Sequence, residues 1–164
     1  MTQFDPFSED ALSRPVPRYT SYPTAPHFHE GIDEGAYRRW LGDMDPETAL
    51  SLYIHIPFCD RLCWFCACRT QGTTTYKPVA SYLGPLGDEI DMVARATPAG
   101  GNVGQIHLGG GSPSILAPED IGRVVRMLSD AFPGAARGGL EVELDPRGMT
   151  EEKLDAFVAA GLTR

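Results

Sequence analysis

The 164-residue sequence has no run of basic residues and carries 14 Lys and Arg against 22 Asp and Glu, a net charge of -8. Proteins that bind nucleic acid or anionic membranes usually present a basic patch, so neither is an expected partner. No apolar stretch approaches the roughly 20 residues that span a bilayer, and the acidic start "MTQFDPFSED" lacks the cationic and apolar segments of a signal peptide. These absences predict a cytoplasmic protein.

Cysteine is also scarce, and all four cysteines lie in one ten-residue stretch, "CDRLCWFCAC", from Cys59 to Cys68. A disulfide framework would be spread along the chain, and the cytoplasm keeps thiols reduced, so this clustering favours a metal or redox centre. The spacing C-x3-C-x2-C-x-C allows Cys59, Cys63 and Cys66 to surround a compact iron–sulfur cluster. Three thiolates would leave one iron of a 4Fe–4S cluster open, as catalytic metal sites require.

Two alternatives to an iron–sulfur cluster are a zinc site and four reduced cysteines without a function. Zinc sites usually combine two C-x2-C pairs a dozen or more residues apart, whereas this sequence has a single loop. Pro57, Phe58, Trp64 and Phe65 predict a dry shell around the thiols, which suits a redox cluster. Cys68 is either a fourth ligand or, because one residue separates it from Cys66, a neighbour of the cluster or substrate.

Hydrophobic periodicity predicts three strands, at 50–56, 104–108 and 140–144, each followed by a helix. Gly84 and Pro85 are expected to disturb the first turn of the first helix, and the third helix, 150–161, has Thr150 as its N-cap and Gly161 as its stop. This order favours a parallel sheet with right-handed crossovers, in which the third strand has an unpaired edge.

The first 48 residues predict an irregular extension that wraps the domain formed by residues 49–164. They include the proline-rich run "RPVPRYTSYPTAPHFHEG" and, over 33–44, a short helix that ends near Gly42.

The predicted strands alternate polar and apolar residues, although parallel strands are usually apolar on both faces. The polar faces carry Tyr53 and His55, then Gln105 and His107, then Glu141, Glu143 and Asp145, and the apolar faces include Val142 and Leu144 of the third strand. We expect the polar faces to line a barrel lumen; the alternative is one solvated face of a small sheet. The cysteines, glycines 109–111 and "DPR" (145–147) follow the three strand ends, where βα folds place their sites.

Individual residue types in these segments support ligand binding, each with a simpler alternative. Glycines 109–111 would let backbone N–H groups approach a charged ligand, or they form only a tight turn. Glu143 could accept hydrogen bonds from a ribose or an ammonium group, or it is a solvated strand acid. A single strand histidine is more often structural, and this is our expectation for His107.

The C-x3-C-x2-C loop after the first strand resembles the signature of radical S-adenosylmethionine (SAM) enzymes. Five segments resemble the oxygen-independent coproporphyrinogen III oxidases within that superfamily: "PRYTSYPTA" (17–25), "YIHIPFC" (53–59), "CWFCAC" (63–68), "HLGGGSPS" (107–114) and "EVELDPRGMT" (141–150). The resemblance implies an α/β fold, namely the first three βα units of an open, partial TIM-type (βα)6 barrel, without the second half of the barrel and the C-terminal domain. Haem chaperones of the same superfamily, the alternative function, usually lack "RYTSYPTA" and the fourth cysteine.

The resemblance also implies a reaction and its site residues. The reaction is the oxidative decarboxylation of two propionate side chains of coproporphyrinogen III to vinyl groups, which gives protoporphyrinogen IX for haem synthesis. The implied cofactors are a 4Fe–4S cluster on Cys59, Cys63 and Cys66, and two SAM molecules bound by Tyr53, Phe65, Gly110, Gly111, Ser112 and Glu143. His55 and Tyr53 are the implied catalytic residues. The complete enzyme is expected to be a monomer supplied by an electron donor, and this chain alone is expected to be inactive.

Overall fold

A computed structural model describes residues 23–98, 102–135 and 139–164. The chain divides into two units between Gly35 and Ala36, and the described part of the first unit contains a 3-10 turn at Ala25–His27. The first helix, α1, covers Glu34–Gly42, which confirms the predicted short helix and its end. Residues 17–22 of the "PRYTSYPTA" segment lie outside the described residues, and the predicted boundary at residue 48 stays a prediction.

The rest of the second unit contains three long strands, each followed by a helix. Its elements are β1 (Ala49–Ile56), β2 (Phe58–Cys59), β3 (Gln71–Gly72), α2 (Lys77–Ala96), β4 (Asn102–Gly110), α3 (Pro118–Ala131), β5 (Gly139–Val142) and α4 (Glu151–Ala159). β1, β4 and β5 form a parallel sheet with β4 in the centre, and β2 pairs with β3 separately. The predicted β-α-β-α-β-α order and parallel sheet are confirmed, and the described sheet is open.

The alternation along the strands places one face of the sheet in the core. Ile54 and Ile56 of β1, with Ile106 and Leu108 of β4, are buried beneath the helices. Burial of each such side chain contributes about 1.5–3 kcal/mol to the stability of the fold, which is more than the intrinsic preference of a residue for a strand. The polar residues between them are thereby turned to the opposite face.

Helix α2 differs from the prediction in its first turns. It begins at Lys77 and runs through Gly84 and Pro85 without ending, so the expected disturbance there is wrong. Pro78, at the second position of the helix, costs no helical hydrogen bond. The buried face that includes Val79 and Leu83 stabilises the helix across Pro85 by tertiary packing.

Tyr76, directly before α2, ties that helix to the start of α3. Its hydroxyl donates a hydrogen bond to Oδ2 of Asp120 at 2.5 Å and accepts one from the N–H of Ala117 at 3.0 Å. Burial, followed by the bond to Asp120, raises the pKa of Tyr76 above its ordinary value. The protonated hydroxyl therefore contributes to the docking of the two helices.

The third βα unit confirms its predicted helix ends but not its strand. Thr150 caps α4 by accepting the N–H of Lys153, and Gly161 follows the helix with a φ of +95°. β5 ends at Val142, and Leu144, predicted on the apolar face, is 36% exposed because the chain turns towards the 3-10 turn Pro146–Gly148.

The edge of β5 is partly covered, so the predicted unpaired edge is wrong for this part of the sheet. A parallel bridge joins Leu140 to Leu162. The N–H of Thr163 donates to the carbonyl of Leu140 at 2.8 Å, and the N–H of Val142 donates to the carbonyl of Arg164 at 2.9 Å. The last three residues thus lie alongside β5 like the start of a further strand. None of the described helices is long and apolar enough to cross a membrane.

Candidate functional site

The cysteine loop has a fixed base. β2 pairs with β3, the N–H of Gln71 donates to the carbonyl of Pro57 at 3.0 Å, and the N–H of Thr73 donates to that of Cys59 at 2.9 Å. Sγ of Cys59 lies 3.3 Å from Oγ1 of Thr70, across the two ends of the loop. These contacts hold Cys59 in place and set out the intervening residues as one loop beyond the end of β1.

The other three cysteines lie further along this loop and are exposed, and all four thiols are free. The N–H of Cys66 donates to the carbonyl of Cys63 at 3.2 Å, and the N–H of Cys68 donates to Sγ of Cys66 at 3.4 Å. A hydrogen bond between the two side chains, followed by the charge of the Cys66 thiolate, raises the pKa of the Cys68 thiol. Within the described ranges, no three His, Cys, Asp or Glu side chains are already gathered around a metal position.

The glycine segment after β4 packs against the base of the cysteine loop. The N–H groups of Gly111 and Ser112 donate to the carbonyls of Ile56 at 2.8 Å and Phe58 at 2.9 Å. A Cβ on Gly111 would lie 2.5 Å from the carbonyl oxygen of Phe58 and from Oγ1 of Thr70. Only glycine fits this contact, and it brings the backbone after β4 directly beside Cys59.

Gly110 is confined in a different way. Its φ of +110° is strained for any residue with a side chain, and a Cβ there would lie 2.8 Å from the ring of His55. Gly110 therefore leaves room for the His55 ring, and Gly111 leaves room for the base of the cysteine loop.

A buried hydroxyl pair links the ends of β4 and β5. Oγ of Ser112 lies 2.6 Å from Oγ of Ser114, which also accepts the N–H of Asp145 at 3.3 Å. Nζ of Lys153 donates to the carbonyls of Ser114 at 2.6 Å and Gly148 at 3.2 Å. Lys153 thus holds together the turns that follow the two strands.

These contacts create a cavity of about 280 Å³ at the carboxyl end of the sheet. The predicted site residues that line it are Cys59, Cys63, Cys66, Gly110, Gly111, Ser112 and Glu143, and Cys68 lines it as well. As expected for parallel strands, residues that follow the three strand ends lie together, here around one cavity.

Tyr53 and His55 lie on the polar face of β1 but line a second cavity of about 290 Å³ beside α2. The Tyr53 hydroxyl lies 3.3 Å from Nδ1 of His55, and Nε2 of His55 lies 2.7 Å from the carbonyl oxygen of Arg69. Burial, followed by the charge of Glu143, raises the pKa of Tyr53. The two residues are next to the cysteine cavity without lining it.

The predicted dry shell of aromatic residues is wrong at two positions. Phe58 is buried, but Trp64 is fully exposed and Phe65 is 89% exposed. Phe58 belongs to β2 at the loop base, whereas Trp64 and Phe65 lie on the outward part of the loop. Phe65, predicted to bind SAM, does not line the cysteine cavity.

An arginine that the sequence analysis did not single out also lines the cavity. Arg147 pairs with Asp145, with Nη2 to Oδ2 at 2.6 Å and Nε to Oδ1 at 2.9 Å. This pairing lowers the pKa of Asp145 to about 2, and Asp145, followed by Cys63, raises the pKa of Arg147. In the sequence, "DPR" could have indicated this ion pair, since an acid and a base two residues apart at a strand end can contact each other.

His107 was predicted to be structural, yet it contacts two acids on the polar face. Its Nδ1 lies 3.6 Å from Oε2 of Glu141, its Nε2 lies 3.3 Å from Oε1 of Glu143, and its ring stacks on Tyr53 with centroids 5.6 Å apart. The alternating pattern placed these residues on one face, but it gave no register between the strands.

Comparison with known proteins identifies the family. The radical SAM superfamily matches residues 53–164, which include the cysteine loop, the glycine segment and all three βα units. The chain belongs to the radical SAM superfamily. This superfamily implies a 4Fe–4S cluster, as the cysteine spacing predicted, and SAM, as the resemblance of the C-x3-C-x2-C loop implied.

Individual radical SAM proteins are also similar to the chain. It is 46% identical over 149 residues to the oxygen-independent coproporphyrinogen III oxidase of Paracoccus denitrificans, covering 91% of this chain and 33% of that protein. It is 42% identical to the oxygen-independent coproporphyrinogen III oxidase of Escherichia coli, over 90% of this chain and 32% of that protein. A solved structure of the coproporphyrinogen III oxidase from Escherichia coli, described as a radical SAM enzyme, aligns with a TM-score of 0.80 and 40% identity, over 88% of this chain and 33% of that one. The chain spans about a third of the length of these relatives.

The residues present fit the radical SAM cofactors by their chemistry. Thiolates are the ligands of iron–sulfur clusters, and the four thiols share a cavity with the backbone of two glycines and the carboxylate of Glu143. The close packing at Gly111 keeps that backbone free of side-chain atoms beside the loop.

Proposed function

We propose that this chain forms the cluster-binding part of an oxygen-independent coproporphyrinogen III oxidase, a radical SAM oxidoreductase of haem synthesis. The single observation that carries the proposal is the shared cavity, which is lined by the three predicted cysteine ligands, by Gly111 and by Glu143. The similarity to named oxidases supports the choice of substrate. A porphyrinogen substrate, an electron donor and a cytoplasmic location belong to the same proposal.

The cluster, reduced by the electron donor, and SAM would together supply a 5'-deoxyadenosyl radical. Removal of one hydrogen atom from a propionate by this radical, loss of CO2 and transfer of one electron to a one-electron acceptor would leave a vinyl group. Two such events convert coproporphyrinogen III to protoporphyrinogen IX. The chain's own residues bind and orient these groups and limit the access of water, because the hard chemistry belongs to the cofactors.

Cys59, Cys63 and Cys66 are the proposed cluster ligands. Cys59 is already held at the loop base, while Cys63 and Cys66 are exposed and line the same cavity. The N–H of Cys68 donates to the sulfur of Cys66, so Cys68 supports a ligand through its backbone instead of being one itself.

The remaining residues of the site are proposed to hold two SAM molecules and the substrate. The backbone of Gly110 and Gly111 approaches the SAM carboxylate, and Glu143 accepts hydrogen bonds from its ribose or ammonium group. Ser112 contributes its hydroxyl, oriented by its contact with Ser114. Tyr53, His55 and Phe65, which do not line the cysteine cavity, contact the second SAM or the porphyrinogen.

The test is anaerobic reconstitution of this chain with iron and sulfide, followed by analysis of iron, sulfide and zinc and by assay of 5'-deoxyadenosine. The parent chain is expected to take up about four irons. Cys63→Ala should lose the cluster and any SAM cleavage, whereas Cys68→Ala, the matched control, should keep the iron. Stoichiometric zinc without sulfide, or a cluster that persists in Cys63→Ala, would refute the assignment.

Substrate turnover is tested separately, because the chain is a third of the length of its relatives. We expect the chain alone to form no protoporphyrinogen and the full-length enzyme that contains it to do so. Haem binding without decarboxylation by that full-length enzyme would indicate a chaperone instead.

A further inference from the structure

His107 occupies the centre of the polar face because β4 is the central strand. In the sheet register it is the partner of Tyr53 on β1 and of Glu141 on β5. Its ring stacks on Tyr53 with an interplanar angle of 18°, and its two nitrogens face two different carboxylates. Its side chain is 28% exposed, and it does not line the cysteine cavity.

Glu143 is the carboxylate that reaches from this face into the cysteine cavity. Its side chain is 59% exposed, so burial does not fix its orientation. One oxygen, Oε1, lies 3.3 Å from Nε2 of His107, and the other, Oε2, would lie 3.1 Å from a Cβ placed on Gly109. A direct polar contact to His107 and the space left by a glycine therefore define where this carboxylate lies.

His107 is in turn supported by its neighbours. Glu141 faces its second nitrogen and lies 3.5 Å from Nη1 of Arg164. A neutral imidazole can donate to one of the two carboxylates, and a doubly protonated imidazole can donate to both. The row Arg164, Glu141, His107, Glu143 thus alternates bases and acids and ends at the cavity.

We propose that His107 is a positioning residue of the SAM site: it holds the Glu143 carboxylate in the orientation in which that group accepts hydrogen bonds from bound SAM. The inference rests on the proposed function, because it takes Glu143 as a SAM ligand. Without His107, an exposed glutamate would have to be ordered when SAM binds. The loss of freedom of one such side chain corresponds to about a three- to tenfold weaker affinity.

The experiment is a double-mutant cycle on the cluster-loaded chain, with the Kd of SAM as its readout. His107→Phe keeps a ring for Tyr53 to stack on and removes the donor, whereas His107→Gln keeps a donor and removes the ring. We expect His107→Phe to raise the Kd about three- to tenfold and His107→Gln to restore part of the loss. In the Glu143→Leu background, His107→Phe should have no further effect, because leucine offers no acceptor to His107.

Controls separate this proposal from the one on which it rests. Glu152→Gln removes an exposed carboxylate at the start of α4 and should leave the Kd unchanged. If the parent chain binds no SAM, or if Glu143→Leu binds it normally, the proposed SAM site and this inference both fail. If Glu143→Leu weakens binding while His107→Phe does not, or if the two effects multiply independently, only the role of His107 fails. Loss of iron in His107→Phe would also overturn it, since the polar contacts of the imidazole would then support the fold of the site and not only the Glu143 carboxylate.

Discussion

Gly111→Ala is the substitution that most directly tests how the glycine segment meets the cysteine loop. The added Cβ would lie 2.5 Å from a backbone oxygen, that of Phe58, about 1 Å closer than ordinary contact. Thr70 could rotate its hydroxyl away, but the Phe58 carbonyl is fixed because it accepts the N–H of Ser112. The backbone therefore has to move, and it carries Cys59 with it.

The expected cost follows from these two changes. Overpacking a well-packed site costs about 1–3 kcal/mol, and weakening the Ser112 hydrogen bond adds about 1 kcal/mol. We expect Gly111→Ala to lower the free energy of unfolding by about 3 kcal/mol. At about 2–4 °C per kcal/mol for a chain of this size, Tm should fall by about 6–12 °C.

Gly84→Ala is the matched control, because nothing lies within 4 Å of a Cβ at that position and Gly84 is inside α2. There the same substitution should change the free energy of unfolding by less than about 0.5 kcal/mol, because the helix preference of alanine over glycine is offset by crowding of its Cβ against Pro85. Thermal unfolding followed by circular dichroism, with iron content after reconstitution, compares the two. Gly111→Ala within about 0.5 kcal/mol of the parent, or with its full iron content, would contradict the packing argument.

Lys153→Met should lower the free energy of unfolding, measured in urea, by about 2 kcal/mol, because the Lys153 ammonium donates to two carbonyls in the turns that follow β4 and β5. In the same assay, the control Lys77→Met, at an exposed lysine, should change the free energy of unfolding by less than about 0.5 kcal/mol. Tyr76→Phe should cost about 1–2 kcal/mol at pH 7. Because the pKa of folded Tyr76 is raised, this advantage of the parent is complete below about pH 10 and decreases above it, and a constant difference at higher pH would count against the hydrogen bond. Arg147→Gln removes a cation that lies beside Cys63 and should make the potential of the reconstituted cluster more negative in an EPR-monitored redox titration; an unchanged potential would show that the two groups do not interact.

Local patterns were sufficient to predict the order of elements and most of the site. Alternating residues such as Ile54 and Ile56 report burial of one strand face, and that information is contained in the sequence itself. The same holds for the capped start of α4 at Thr150, since an N-cap depends on residues within one turn. Cysteines and glycines at strand ends combined into one cavity because parallel strands end at the same edge.

The predictions that failed depend on contacts between distant segments. The continuation of α2 through Pro85 comes from packing that outweighs the local effect of proline. The exposure of Trp64 depends on whether another element covers the loop, which residue type does not determine. The contact of His107 with two acids requires the register of β4 against β5, and a period of two residues places side chains on a face without fixing that register.

The division of the cysteine loop into a fixed base and an exposed remainder has a consequence for cluster binding. Cys59 is held by strand pairing and by Thr70, so its position is set by the fold before any metal is present. With the proposed ligands, Cys63 and Cys66 would complete the site from the exposed part of the loop, since the described residues include no preassembled group of three metal-binding side chains. Part of the free energy of cluster binding would then be used to order the loop, as in metal sites where binding and folding are coupled. On the same assignment, the glycine packing at the base sets the position of Cys59, the ligand from which the other two are positioned.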